Sequence, residues 1–373
     1  MDTLKFTKNA KKYFAPGRIN IIGEHVDCYG GKVLPVQISL GTYGVFEKTD
    51  NDINLYSENY SSNGIIKVDI NNLVKTNDWT DYVKAVLSVI DCSKISGFNL
   101  SISGTLPTAS GLSSSASLEV LVLNILNQEF NLGLTKVDIA VLAQKAENNY
   151  IGVKCGIMDQ FAIALSKRNH AVYLDTNTLD YSYANLDSLK ENGYQVLIIN
   201  SKKPRSLINS KYNERTEECQ EALKLLHQID VRENICSYTL EEANQIILPD
   251  VLKRRITHVI TENDRVREMT KALEIKDIPT IGKLLNDSHT SLRDNFEVSC
   301  MELDVIVNVA QTEALGSRMI GAGFGGCAIA IVEEGKINGL IDKIKKSYFE
   351  KTGLKCDCYV ASFDSCLGKI EVE

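Results

Sequence analysis

Five serines fall within the eight residues Ser110-Gly111-Leu112-Ser113-Ser114-Ser115-Ala116-Ser117, directly ahead of a strong amphipathic pattern. Leu118, Leu121, Val122, Ile125 and Leu126 follow at the spacing of one buried helical face, so the serines stand where a helix begins. The first turn of a helix has N–H groups without intrahelical acceptors and a positive dipole end, and together these bind phosphate. Serine is also a common N-cap, which is the alternative reading; one or two hydroxyls suffice for a cap, and five exceed it. No G-x-x-x-x-G-K-[ST] sequence occurs, so this is not a Walker A loop.

Two further segments carry chemistry. Residues 15–35 bring Arg18, Glu24, His25 and Asp27 together among Gly17, Gly23, Ile19, Ile21 and Ile22. Carboxylates accept hydrogen bonds from hydroxyls, so Glu24 and Asp27 suit a polyhydroxylated ligand. The Glu-His-x-Asp order also admits a metal site or a solvated loop, although it does not have the helical H-E-x-x-H spacing. Gly321-Ala322-Gly323-Phe324-Gly325-Gly326 matches G-x-G-x-x-G, but a dinucleotide fingerprint needs a strand before it and a helix after it. Here a helical pattern over Val305–Ala314 precedes and a strand, Cys327–Val332, follows. That leaves a tight turn, or bare peptide pressed against a ligand or the serine loop.

The elements that must position these residues cluster more than they alternate. Strands are expected at Lys32–Ser39, Gly44–Glu47, Ile65–Ile70, Phe98–Ser103, His170–Leu174 and Gln195–Asn200. Helices are expected from Ala116 to about Ala164, with a break at Gly152–Gly156. Others fall at Tyr212–His227 and Glu262–Leu273, and a helix–strand pair at Lys336–Ser362. Such clustering implies an α+β fold. With 373 residues the chain is long for one core, so two domains are expected, 1–190 and 191–373, divided in the polar stretch Asp187–Gly193. A net charge of −7 argues against a nucleic-acid partner. No apolar run is long enough to span a bilayer, and the N-terminal residues lack a signal-peptide core. The ten cysteines include no C-x-x-C pair, and Cys356-Asp357-Cys358 has the wrong spacing for a common zinc site. Reduced thiols in a cytoplasmic protein are the expectation.

Residues 17–31 resemble the signature of galactokinases, G-R-x-N-[LI]-I-G-E-H-x-D-Y-x-G-G, within the GHMP small-molecule kinases. The serine loop resembles that family's phosphate-binding motif, and Gly316–Gly326 resembles its third motif, R-M-T-G-A-G-F-G-G. Further matches are Cys155-Gly156-Ile157-Met158-Asp159-Gln160, Tyr212-Asn213-Glu214-Arg215 and Ser291-Leu292-Arg293-Asp294. The resemblance implies a ribosomal-S5-like N-terminal domain and a ferredoxin-like C-terminal domain with the active site between them. It implies an ATP-dependent kinase that forms α-galactose 1-phosphate, working as a monomer with galactose, ATP and Mg2+ and with no nucleic acid or membrane. Asp159 corresponds to the catalytic aspartate that accepts the anomeric hydroxyl proton, and Arg18 to the arginine that offsets charge developing in transfer. Positioning and electrostatics are the alternative source of rate, since a loose transition state needs little deprotonation. Glu24, His25, Val26, Asp27, Asp159 and Tyr212 correspond to sugar-binding positions. Ser57, Trp79, Ala109, Ser110, Gly111, Leu112, Ser113, Ser114 and Ser115 correspond to ATP-binding ones, and Tyr82 to the adenine region. Ser115 and Glu147 correspond to the magnesium ligands, oxygen donors as that cation prefers.

The chain departs from the family pattern in places. Cys28-Tyr29 stand where Tyr-Asn is usual, Val26 and Ile320 where threonine is common, and Thr108-Ala109 where Asn-Gly is frequent. A tyrosine followed by cysteine occurs in N-acetylgalactosamine kinases, which makes that sugar the alternative substrate. A catalytically silent galactose sensor is a second alternative. Fungal relatives of that kind lose the Ser-Ala pair that this chain keeps as Ser115-Ala116.

Overall fold

The computed structural model describes residues 3–107, 110–204 and 208–370, and of residues 208–210 only the backbone. Ala109, with Thr108, lies outside the described residues. In chain order the strands are β1 (Lys11–Asn20), β2 (Lys32–Val33), β3 (Pro35–Lys48), β4 (Ile53–Ser57), β5 (Ile66–Val68), β6 (Phe98–Gly104), β7 (His170–Asp175), β8 (Tyr181–Asn185), β9 (Tyr194–Asn200), β10 (Gly316–Ile320), β11 (Cys327–Glu333), β12 (Asp357–Val360) and β13 (Gly368–Ile370). The helices are α1 (Thr80–Leu87), α2 (Ser114–Phe130), α3 (Lys136–Ala146), α4 (Met158–Ala164), α5 (Asp187–Glu191), α6 (Ile208–Leu226), α7 (Leu240–Ala243), α8 (Asp250–Glu274), α9 (Ile278–Asp294), α10 (Met301–Ala310) and α11 (Ile337–Thr352). The α+β expectation therefore holds.

Three sheets organise these elements. The first has the order β13-β1-β3-β6-β4-β5, the second β10-β11-β9-β12, and the third β2-β7-β8. Helix α2 packs on β1 and β3 beside α1, α3 and α4, so the serine loop ends against the middle of the first sheet. In the second half, α9 packs on β10 and α10 on β11, while α8 reaches back to β2 and β8. Strand β13 returns to the first sheet and pairs antiparallel with β1.

One core explains the isoleucines around Arg18. Ile19, Ile21 and Ile22 are fully buried with Val36 and Ile38 of β3, and they join Ile198, Ile329 and Ile331 of the second sheet in one cluster. At about 1.5–3 kcal/mol for each such side chain, that cluster fastens the first sheet to the second.

Several elements differ from the sequence expectation. Strand β1 was not expected, because Pro16-Gly17 reads as a turn. In the structure the pair sits at a register shift in the β1–β3 ladder, a place that tolerates proline. Gly17 is needed there, since a Cβ would stand 2.8 Å from the Leu112 carbonyl oxygen of the serine loop. Strand β10 was also unexpected, so the element ahead of the second glycine loop is a strand and not the helix read from sequence. The strand β11 that follows still excludes a dinucleotide fold, and the loop closes an antiparallel hairpin. Helix α8 is longer than expected, and α9 was missed despite its Asp277 N-cap and a proline in its first turn. The stretch expected as a polar divider at Asp187–Gly193 contains the short helix α5.

Glu119, one turn beyond Ser115 in α2, is fully buried, and neither carboxyl oxygen has a partner among the described residues. Burial first, then Glu147, push it up to about 10, so it is a neutral acid in the folded protein. An acid raised on folding contributes stability only below its unfolded value of about 4.3 and loses that contribution as pH climbs toward 10. Glu119→Gln should therefore raise Tm at pH 8 by at least about 2–4 °C in calorimetry. The gain should close by pH 4.

Candidate active site

Arg18, Asp159 and Ser113 form the centre of the site. Arg18 leaves β1, Asp159 stands in the first turn of α4, and Ser113 precedes α2. The Arg18 guanidinium meets Asp159 Oδ1 at 2.7 Å through both Nε and NH2, and NH1 donates to the Gly111 carbonyl at 2.8 Å. Ser113 Oγ donates to Asp159 Oδ2 at 2.5 Å. Both carboxylate oxygens are thus held, one by a charged fork and one by a hydroxyl. Arg18 is 4% exposed, so the pair has little screening by water.

Ser113 decides between cap and phosphate site. It occupies the N-cap position at φ 64, in the left-handed region, and makes no side-chain cap. The first α2 bond runs from Ser117 N–H to the Ser113 carbonyl, so the amides before it face the loop instead of a capping hydroxyl. The serines divide their work. Ser117 is buried and bonds Thr42 and the Ala15 carbonyl, a packing role. Ser114 is exposed at the loop, Ser110 is buried, and Leu112 is a core residue whose carbonyl accepts the Arg18 N–H.

Ser115 Oγ donates to Glu147 Oε1 at 2.9 Å, and Gln160 holds Oε2 at 2.8 Å. Glu147 opens a single π-helical turn, Glu147–Ile151, that continues α3. Burial pushes the Glu147 carboxyl up, Ser115 opposes the shift, and Asp159 adds to it. A buried carboxylate short of positive charge, beside a hydroxyl oxygen, fits a hard divalent cation. Among the described residues no group of three or more His, Cys, Asp or Glu could hold a metal alone.

A cavity of about 200 Å3 opens beside this centre, lined by Arg18, Glu24, His25, Asp27, Asp159 and Tyr212 together with Gly156 and Gly321. Glu24 Oε1 accepts the Gly321 N–H at 2.8 Å and lies 3.1 Å from Arg318 of β10. Burial raises Glu24, with Arg318 and then Arg18 opposing. Asp27 is raised to about 6 by burial, Asp159 and Glu24. A Cβ on Gly156 would lie 1.9 Å from Asp27 Oδ2, so only glycine admits this carboxylate. His25 has φ 59 and is lowered to about 3 by burial, His258 and Arg318; it is a neutral ring whose Nε2 has no partner among the described residues. Tyr212 stands across from it, with ring centroids 5.8 Å apart, and its hydroxyl lies 3.4 Å from Cys28 Sγ. Val26 does not reach the cavity; it is fully buried, and its carbonyl closes the turn onto Tyr29 and Gly31.

A second cavity, about 220 Å3, runs from Ser114 and Ser115 to Ser57, Trp79 and Tyr82. Trp79 also packs in the core, and its Nε1 has no partner among the described residues. A third, of about 300 Å3 near α5 and β9, shares no lining residue with these two, and its charged lining residues are Asp187 and Lys190. The chemistry therefore assigns the site to the first pair. The glycine loop of the β10–β11 hairpin presses on the serine loop, since a Cβ on Gly321 would stand 3.4 Å from the Gly111 carbonyl. Sequence reasoning missed Arg318, Gln160 and Glu262 as contributors. The available signal was a charged residue inside the short apolar strand Gly316–Ile320, which is buried throughout.

Comparison with known proteins agrees with this geometry. The chain matches the galactokinase galactose-binding signature over residues 5–48, the GHMP kinases N terminal domain over 81–167 and the GHMP kinases C terminal domain over 269–351. It is 42% identical to a galactokinase of Clostridium beijerinckii, covering 99% of this chain and 97% of that protein. It is 44% identical to one of Staphylococcus carnosus, covering 96% and 94%. The crystal structure of Lactococcus lactis galactokinase complexed with galactose superposes with a TM-score of 0.93 at 40% identity, over 98% of this chain and 96% of that one. A mevalonate kinase, at 21% identity and a TM-score of 0.68, shares the fold.

The Asp27 titration offers a direct check on the site. Followed by carbon-13 NMR of its carboxyl, it should have a midpoint at about 6. Asp159→Asn removes a neighbouring negative charge, so that midpoint should fall.

Proposed function

We propose the reaction from one premise: this chain belongs to the galactokinases, within the GHMP kinase family. It transfers the γ-phosphoryl group of ATP to the anomeric hydroxyl of D-galactose, giving α-D-galactose 1-phosphate and ADP. The observation that carries this reading is Asp159. Its carboxylate, shared between Arg18 and Ser113, lines the sugar cavity and also touches the serine loop.

The steps follow from that placement. Glu24, Asp27, neutral His25 and Tyr212 hold the galactose hydroxyls, with carboxylates accepting and Nε2 of His25 ready to bond. The Trp79–Ser57 cavity takes adenine and ribose, and the α2 amides take the phosphates. The anomeric oxygen attacks the γ-phosphorus, its proton passes to Asp159, and the bond to the β-phosphate oxygen breaks as ADP leaves. Arg18 offsets the charge that builds on the transferring group. Glu147 and Ser115 would hold Mg2+, which neutralises phosphate charge when bound. Without a Walker lysine, that charge is shared by the helix end, the cation and Arg18.

The division into domains 1–190 and 191–373 belongs to the same reading, supported by the separate first and second sheets, with β13 crossing back. We also assign a monomer in the cytoplasm. The ten cysteines, none of them in a disulfide, suit a reducing compartment, and no helix among the described residues is long and apolar enough to cross a membrane. One observation favours testing a second sugar: the Cys28 thiol, standing where the family usually has tyrosine, contacts Tyr212 at the cavity mouth.

With a panel of sugars at one ATP concentration, galactose should turn over fastest; faster turnover of N-acetylgalactosamine would reassign the substrate. ADP release on adding galactose excludes a silent sensor. Asp159→Asn should lower kcat by about 10²–10⁴-fold with ATP affinity nearly unchanged in calorimetry. Glu147→Gln should raise the Mg2+ concentration needed for half-maximal rate at least tenfold. Retention of wild-type metal dependence would remove Glu147 from the metal site.

A further inference from the structure

The segment Gly23–His25 is poorly supported by its own sequence. Gly23 has φ 100 and His25 has φ 59, so the backbone passes twice through the left-handed region within three residues. For a histidine that conformation costs of order 1–3 kcal/mol and persists only when its surroundings impose it. Lys32 and Val33 of β2 crowd Gly23, and the groups that hold this backbone by hydrogen bonds come from the second half of the chain.

Three buried residues of α8 hold the backbone. Glu262 Oε1 accepts the Gly23 N–H at 3.0 Å and the Glu24 N–H at 3.3 Å, and Ser288 of α9 donates to the same oxygen at 2.7 Å. His258 Nε2 pairs with the Glu24 carbonyl at 3.1 Å, and Asn263 accepts the Lys32 N–H at 2.8 Å. Burial opposes the charge on Glu262, but Arg265, His258 and Arg318 bring it down to about 2, so it stays an acceptor. From β10, the fully buried Arg318 donates NH1 to the carbonyls of Asn20 and Ile21 at 3.1 and 2.8 Å and places NH2 3.1 Å from Glu24 Oε1. One guanidinium therefore fixes both the end of β1 and the carboxylate that faces the sugar.

We propose that Glu262 and Arg318 are positioning residues that impose the strained Gly23–His25 backbone and orient the Glu24 carboxylate, so that galactose affinity depends on the second half of the chain. This rests on the reading that the cavity lined by Glu24 takes galactose. Neither residue lines that cavity. They act through Glu24, and α8 and β10 form part of the sugar site without touching its ligand.

A pH signature follows. The charged neighbours of the Glu24 carboxyl are Arg318 from β10, Arg18 from β1 and Asp27, and His258 and Glu262 of α8 lie against its backbone. Burial already raises it, and Arg318 is the largest opposing influence. Without Arg318 the carboxyl rises further, and a protonated Glu24 is a weaker acceptor for a hydroxyl hydrogen bond than the carboxylate. High pH should restore the carboxylate.

The test uses the full-length enzyme and steady-state kinetics from pH 6 to 9.5, with ATP affinity measured separately. Arg318→Met should raise the KM for galactose at least tenfold at pH 7 with ATP affinity within twofold, and the excess should shrink as the pH rises to 9.5. Arg318→Lys should restore most of the wild-type KM at pH 7. Glu262→Gln is nearly isosteric and keeps the fold testable should Arg318→Met not fold; it should raise the KM for galactose at least fivefold with a smaller change in kcat. An unchanged galactose KM in Glu262→Gln or in folded Arg318→Met, or equal losses of galactose and ATP affinity, would overturn the proposal. Failure of the wild-type enzyme to phosphorylate galactose would instead overturn the assigned reaction.

Discussion

Four carboxylates, Glu24, Asp27, Glu147 and Asp159, meet around a cleft that must also receive a triphosphate. The electrostatic burden of that arrangement governs the rest of the molecule. Burial raises Glu24, Asp27 and Glu147, and Asp159 adds to the rise at two of them. Charges so placed are tolerable only where each meets a fixed donor. Arg18 answers Asp159, Arg318 and the Gly321 amide answer Glu24, and Ser115 with Gln160 answers Glu147. Asp27 has the least such support, and it is also the carboxylate raised to about 6.

The architecture delivers these donors from distant stretches of chain. Arg18 comes from the first sheet and Arg318 from the second, and the cluster of Ile19, Ile21, Ile22, Ile198, Ile329 and Ile331 holds the two sheets together. Three glycines allow the close approaches: Gly17 against the serine loop, Gly156 against Asp27, and Gly321 against Gly111. At Gly17 and Gly156 a side chain would push apart two groups that must act together, and at Gly321 the positive φ of 76° favours glycine. The glycine-rich hairpin loop thus serves the same site as the serine loop, as bare peptide against bare peptide.

Much of the site was legible in the sequence because its residues are local. Arg18 to Asp27, Ser110 to Ser117 and Cys155 to Gln160 each lie in one short run, where residue type and spacing state the chemistry without knowledge of the fold. The resemblance placed Arg18 beside Asp159 and paired Ser115 with Glu147, and each pair is in contact in the structure. Val26 and Leu112 share those runs but turn inward to the core, since neighbours in a turn point in different directions. Strands β1 and β10 were hidden for a related reason. Each carries residues that strand propensity disfavours, Pro16 and Gly17 in one and Gly316 in the other, and tertiary contacts override that preference.

By itself, then, the sequence determined the α+β class through its clustered periodicities and the family through motifs that resemble it, and the groups assigned to phosphate and sugar came only as what that resemblance implies. Only the tertiary structure decided how those groups are held. It showed that Ser113 serves Asp159 instead of capping its helix, and that Gly156 makes room for Asp27. It also showed that the backbone of Glu24 hangs from α8, while its carboxylate meets Arg318 of β10 and the Gly321 amide. These contacts join residues from 46 to 297 positions apart. No local pattern encodes a pairing over such distances, and only the packing of one sheet against the other brings it about.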